Sequence, residues 1–319
     1  TLEGNWQLVE TAERTRRHCM MLENCCYGED EMLMFNLERH GLLGTVMHGE
    51  AAYIHDCRSI YYPKNADDEL PWRYHAIKSW KRLPGNLYPT HGLGPIAQAM
   101  KINHGDRMDY LISMSAKGHG IQEFARVKFG PDSFLGCREN EMITTDMNTT
   151  LIRTVNGNTI MLQYATTTPR PYSRGNLLQG THGIAAAYPL RVSYTEDVTK
   201  GSGRFFDEKK LSEVETKYGS ALWRKIGGFA LDMGHDGIDF LMDMRWIYCL
   251  HEGLPLDIDV YDSATWSCLA ELTCESVDKG GRPVEIPDFT RGGWKTAKPL
   301  GIIDCDVTKV GLKDESRTV

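Results

Sequence analysis

No apolar run in this sequence approaches the length needed to span a bilayer, which excludes a membrane-crossing helix. No basic block occurs either, and a net charge of −7 with a pI near 5.9 argues against a nucleic-acid binder. None of the nine cysteines falls in a C-x-x-C pair, and the eleven histidines lack metal-ligand spacing, so no metal centre is expected. Cys19, Cys25, Cys26 and Cys249 lie in apolar segments and read as buried thiols. A chain with this much core needs no disulfide framework, which favours a reducing environment. There is no P-loop, no H-E-x-x-H and no G-x-S-x-G. Gly201-Ser-Gly203 runs into Arg204-Phe-Phe where a dinucleotide-binding turn needs its third glycine.

What is present is a chain of 319 residues, 41% apolar and 25% charged, as in ordinary globular proteins. That is enough for one large domain, or one domain and a smaller piece. It opens Thr1-Leu-Glu-Gly, with neither an initiator Met nor a signal peptide. We therefore expect either that something upstream was removed or that the chain is a fragment.

The spacing of Trp6, Val9 and Glu10 predicts a helix over Leu2 to Thr15. His18 to Leu22 is a continuous apolar run and predicts a buried strand ended by Glu23 and Asn24. Those two residues equally suit a helix N-cap. A helix from Glu29 to His40 and a strand from Val46 to Ile54 complete the rhythm of a parallel α/β sheet. Ligands of such sheets lie beyond strand carboxyl ends. This places Glu23, Asn24 and Tyr27 at one strand end, and Tyr53, His55 and Asp56 at the next. Residues 60–81, with Pro63, Pro71, Trp72, Arg73 and Trp80, predict a long surface excursion. Arg73 there either holds a ligand oxygen or stacks on Trp72.

From Met108 the pattern turns to strands, at 108–115 and 120–127. Leu151 to Val155 and Thr159 to Thr166, joined by Asn156-Gly157, carry the signature of a hairpin. Shorter strands are expected near 176–179, 183–188 and 192–195. The fold class is α+β: a large, mostly antiparallel sheet with helices on one face. Pro169 and Pro171 present Tyr172 and Arg174 from a stiff backbone, suited to a ligand or to blocking edge pairing. Glu208 to Trp223 reads as one charged helix. A more apolar helix runs from Asp232 to about His251, with His235 and His251 at its opposite ends.

One stretch concentrates the chemistry: Gly85-Asn-Leu-Tyr88-Pro-Thr-His91-Gly-Leu-Gly-Pro95. Pro89 and Pro95 fix φ, whereas Gly85, Gly92 and Gly94 permit close backbone approach. Ile96 to Met100 read as the first turns of a helix, so Tyr88 and His91 sit where a loop enters it. A phenol and an imidazole can exchange protons with a sugar hydroxyl or an acidified C–H near neutral pH. The alternative is a turn whose Tyr packs on the core and whose His caps a neighbour.

Six motifs, in order along the chain, carry a resemblance. They are Cys19-Met-Met-Leu-Glu23-Asn24-Cys-Cys-Tyr27, Ala52-Tyr53-Ile-His55, Trp72-Arg73, the Gly85–Pro95 stretch, Pro169-Arg-Pro-Tyr172-Ser-Arg174-Gly-Asn and Gly253-Leu-Pro-Leu-Asp-Ile-Asp-Val-Tyr261-Asp. Together they resemble glycoside hydrolase family 109, the NAD-dependent bacterial α-N-acetylgalactosaminidases, which are related to the glucose–fructose oxidoreductase type of dehydrogenase. The resemblance implies a Rossmann domain followed by a large antiparallel sheet domain. Residues 1–28 would be the remnant of the first and 29–319 the second, the glycine-rich turn having been lost.

The resemblance places Glu23, Asn24 and Tyr88 near NAD. It implies a substrate pocket of Tyr53, Arg73, Tyr88, Pro89, Thr90, His91 and Tyr172, holding an α-linked N-acetylgalactosaminyl glycan or glycoside. The implied mechanism oxidises C3, eliminates across C1–C2, adds water and reduces C3 again, so no paired carboxylates are required. His91 and Tyr88 are the expected proton-handling pair, with Tyr53 and Tyr172 positioning or sharing the transfer. His251 or His235 would be a leaving-group acid. Export, and self-association through the sheet domain, are further implications. A sugar or inositol dehydrogenase is a competing reading; against it, the Asp-x-x-x-His pair of those relatives is absent. A catalytically silent fragment or oligomerisation domain is another.

Overall fold

The structure, a computed structural model, describes residues 1–79, 83–138, 144–200 and 203–317. Trp80 and Lys81 of the expected excursion, and Gly201 and Ser202 of the glycine pair, lie outside them. Alternation builds the sheet: β3 (Asn148–Thr154) buries each of its even-numbered side chains, and so does β4 (Thr159–Ala165). Asn156-Gly157 turns the chain between them, with Gly157 at φ 92°, a conformation open to a residue without Cβ.

Six further strands join this hairpin: β1 (Val46–Ile54), β2 (Met108–Ser115), β5 (Leu177–Gly180), β6 (Gly183–Ala186), β7 (Arg191–Tyr194) and β8 (Val284–Glu285). The order across the sheet is β7-β6-β5-β1-β4-β3-β2-β8. Only β1 and β4 run parallel, with Tyr53 opposite Tyr164; the other paired strands are antiparallel. The expected α+β class is therefore the one observed.

Helices cover one face. Helix α5 (Thr90–Ala99) lies on β1, and α11 (Leu269–Asp278) lies on β2. The core between them includes Leu93, Ile96, Leu111, Ile152, Ile160 and Leu162. On the opposite face Leu151 and Met114 stay exposed. Glycine makes the close approach of α5 feasible: a Cβ on Gly92 would lie 2.4 Å from the backbone N and O of Ala52.

Five expectations are corrected. Residues 18–22 form no strand; they have no ladder partner among the described residues, and Leu22 is exposed. Without a neighbouring strand to take its backbone groups, an apolar run forms no ladder. The parallel helix–strand rhythm expected for the first fifty residues is absent with it, because β1 belongs to the mixed sheet. Residues 120–127 are helical, within α6 (Gly120–Phe129). Asp146 accepts from the backbone N–H of His119 (2.6 Å) and Gly120 (2.9 Å), so the start of this helix is stabilised from a distant segment. The helix expected over 208–223 is two, α7 (Glu208–Tyr218) and α8 (Ala221–Ala230), because Ser220 caps the second. The next helix, α9 (Ile238–Glu252), starts later than expected, leaving His235 in the preceding turn.

Substituting Ala for Gly92 should cost about 1–3 kcal/mol, because the backbone of β1 cannot yield to an added methyl. Urea denaturation checks this, with Leu151→Thr on the open face as a control expected to change stability by less than about 0.5 kcal/mol.

Candidate active site

The parallel pair β1–β4 ends at Ile54 and Ala165, one residue past Tyr53 and Tyr164, and the site assembles at these carboxyl ends. The 3-10 turn Asn24–Tyr27, the N-terminus of α5 and the loop of residues 166–176 complete it. Asn86 sets up the approach to α5. Its backbone N–H donates to Thr273 Oγ1 (2.9 Å), and its side chain accepts from the Tyr88 N–H (3.0 Å), an Asx turn. Pro89 then caps α5, so His91 falls in the first helical turn.

His91 Nδ1 lies 2.6 Å from Glu23 Oε1. Glu23 is buried and also accepts from the Cys25 N–H (3.2 Å). Burial pushes this carboxyl up, but the bonds from His91, the Thr90 hydroxyl and the Cys25 amide outweigh it and hold Glu23 below its ordinary value. An ionised carboxylate can only accept, so Nδ1 carries a ring proton, and in the neutral imidazole Nε2 is the acceptor.

Two tyrosine rings meet this imidazole, and Tyr172 and His55 extend the cluster beyond them. Ring centroids are 4.7 Å apart for Tyr88 and His91, 4.8 Å for Tyr53 and Tyr88, 5.4 Å for Tyr53 and His91, and 6.4 Å for Tyr53 and Tyr172. His55 joins at 5.2 Å from Tyr172. Burial raises the phenols of Tyr53 and Tyr88, and pushes Tyr172 up to about 12. All three are therefore protonated near neutrality.

The cluster separates two hollows. One, of ≈ 430 Å³, is bordered by Asn24, Cys25, His91, Tyr172 and Arg174, with Glu29, Asp30 and Asp236 on its rim. The other, of ≈ 200 Å³, is bordered by Tyr53, Tyr61, Trp72, Arg73 and Tyr88. Arg73 is exposed and stacks on Trp72, its guanidinium carbon 5.1 Å from that ring. Pro89 is buried and helps set the bend rather than offering a polar group.

Not every expected residue reaches the cluster. His251 is exposed beside Glu252, at the far end of α9, about 15–20 Å along that helix from its start near Asn24. His235 borders the larger hollow but is exposed and bonded to Asp239 (2.6 Å). Asn24 already has both ends of its amide engaged, by Asp239 (2.5 Å) and by Cys25 Sγ (3.3 Å).

Sequence reasoning missed Glu31 and Tyr188. Glu31 lies in the first turn of α2 (Glu29–Arg39), where an acid reads as an ordinary helix start. It is in fact buried, and holds Arg174 (2.9 Å) and the Tyr188 hydroxyl (3.1 Å). No local signal marks a pairing across so long a stretch of chain.

Residues 27–296 match the family model for the glycosyl hydrolase 109 C-terminal domain. The chain belongs to glycosyl hydrolase family 109. Among curated members, it is 49% identical over 310 residues to a family 109 protein from Shewanella amazonensis, and 48% identical to one from Shewanella sp. strain ANA-3. Each comparison covers 95% of this chain and 65% of the relative, so the chain spans about two thirds of their length. Among solved structures, an NAD binding oxidoreductase from Klebsiella pneumoniae superposes with a TM-score of 0.57 at 13% identity, over 90% of this chain and 71% of that one. A levoglucosan dehydrogenase in complex with NADH and levoglucosan gives 0.53 at 15% identity, over 85% and 66%. At such identities the likeness is one of fold.

NAD can be tested against the residues of this family 109 chain. The larger hollow, with its polar wall at His91 and Tyr172, has room for a nicotinamide ring. It does not suit a pyrophosphate. Its rim carries Glu29, Asp30 and Asp236, and Arg174, the guanidinium on its wall, is already paired with Glu31.

Glu23 gives this site a pH signature. Its folded value lies below the ordinary 4.5, so the unfolded chain takes up that proton first as pH falls. Its contribution to stability is present above about pH 4.5 and is lost below it. Urea midpoints of wild type and Glu23→Gln should therefore converge as pH drops through that range; curves that stay parallel would remove Glu23 as a partner of His91.

Proposed function

We propose that the chain is the substrate-binding part of an NAD-dependent glycosidase acting on α-linked N-acetylgalactosaminides. The observation that carries this is the buried Glu23–His91 pair, set against the phenols of Tyr53 and Tyr88 and bordering the same hollow as Tyr172. NAD, when bound, would supply hydride chemistry at C3 of the sugar, which acidifies the C2 proton. His91 Nε2 accepts a proton from the sugar, and Glu23 stabilises the imidazolium that forms. Tyr88 and Tyr53 line the smaller hollow and, as neutral phenols, donate hydrogen bonds to the part of the glycoside that enters it. Trp72 and Arg73 offer a stacking surface and a cation to groups beyond the reacting ring. In this reading residues 1–28 end a dinucleotide-binding domain and 29–319 form the substrate domain. The open sheet face, with Leu151 and Met114, would be the surface for self-association.

The test uses the full-length protein. Nitrophenol should be released from nitrophenyl α-N-acetylgalactosaminide, and His91→Ala should lower that rate by about 10²–10⁴-fold. Solvent deuterium should enter at C2 of the released sugar in wild type. Steady NADH accumulation with a free ketose as product would instead establish a dehydrogenase.

A further inference from the structure

Tyr172 carries one hydroxyl, and the structure limits what that hydroxyl can do. Arg174 Nη1 lies 3.0 Å from the Tyr172 oxygen. A guanidinium has donors only, so the phenol oxygen must accept from it and cannot donate to it. The phenolic proton is then directed elsewhere, and Tyr172 borders the hollow that holds His91 and Cys25.

Arg174 is itself held. Its Nε donates to Glu31 Oε1 (2.9 Å), its Nη1 also lies 3.4 Å from Cys25 Sγ, and its guanidinium sits 5.1 Å from the Tyr188 ring. Tyr188 donates its hydroxyl to the same Glu31 oxygen (3.1 Å). Gly28 makes room for the ion pair: a Cβ there would come within 2.1 Å of Glu31 Oε2 and 3.2 Å of Arg174 Nη2. The guanidinium is thus fixed by a buried pair rather than left to reach for a ligand.

We infer that Arg174 is a positioning residue that fixes Tyr172 as a proton donor to the bound glycoside, and so as the acid for the leaving group. The inference rests on the glycosidase reading. When a base takes the C2 proton, the C2–H electron pair forms the C1–C2 double bond. The C1–O pair departs on the glycosidic oxygen, which takes the Tyr172 proton, and the phenolate left behind is stabilised by Arg174. The groups facing the phenol are Arg174, Glu31, Cys25 and the rings of Tyr53, His55 and Tyr188. Burial raises the phenol most; of these groups the guanidinium lowers it, and Cys25 and Glu31 oppose the guanidinium more weakly.

Leaving-group dependence in the full-length protein separates this role from a structural one. An alkyl glycoside needs an acid and a nitrophenyl glycoside does not. Tyr172→Phe should lower turnover of the first by about 10²–10³-fold and of the second by less than about tenfold. Arg174→Met alone strands a buried carboxylate, so the pair is removed together as Arg174→Met/Glu31→Met. That variant should show the same selective loss. Its Tyr172 ionisation, read by ultraviolet difference titration against the same variant carrying Tyr172→Phe, should move to higher pH. Arg174→Lys, which keeps a cation and a donor, should recover part of both. Equal losses on the two glycosides, or a phenol titration that does not move, overturn the inference. A wild type inert on both glycosides overturns the glycosidase reading instead, and the titration then decides the Arg174–Tyr172 link by itself.

Discussion

The hydrogen bond between His91 and Glu23 is the contact on which the candidate site depends. It ties the first turn of α5 to the 3-10 turn at Asn24–Tyr27, two segments far apart in sequence. A carboxylate this deeply buried would be costly if left unpaired. Here it is met by an imidazole, a hydroxyl and a backbone amide, all from short stretches of chain. Moving any of the three would leave charge in the core, so both segments are held in one relative position. The direction of the imidazole follows from that, and with it the identity of its free nitrogen.

A second buried pair, Glu31 with Arg174, repeats this logic on the other wall of the hollow. In each case an acid from the N-terminal part of the chain holds a nitrogen group from much later in the sequence. Each held group in turn meets a tyrosine: His91 by ring contact with Tyr88, Arg174 by a hydrogen bond to the Tyr172 hydroxyl. Both acids are buried, yet they decide which way protons can be exchanged. Glycines at 28, 92 and 94 let these layers close upon each other.

Much of this was legible in the sequence where the signal was local. Strand β1 and the Asn156-Gly157 hairpin were readable from alternation and turn chemistry alone. Tyr88 and His91 stood out because the glycines and prolines around them exclude a plain helix or strand, and Tyr172 because two prolines flank it. What could not be read depended on distant partners. Helix α6 begins where it does because Asp146 caps it, and nothing between residues 120 and 127 says so. Residues 18–22 look like a strand, but a strand is a relation between two segments. Glu31 reads as a surface acid until Arg174 arrives beside it, and His251 reads as a site histidine until α9 carries it to the far end.

The parallel pairing of β1 with β4 has a kinetic side. His48 and Thr159, side by side in that register, are 111 residues apart in sequence. All of β2, α6 and β3 must be threaded between them before Tyr53 meets Tyr164. Closing so long a loop costs entropy ahead of any reward in packing. The aromatic cluster can form only once that closure is made, so the region of greatest chemical interest should be among the last to acquire its native shape. An unfinished molecule would expose a run of tyrosines and β1 unpaired on both edges, the form most exposed to misassembly during synthesis.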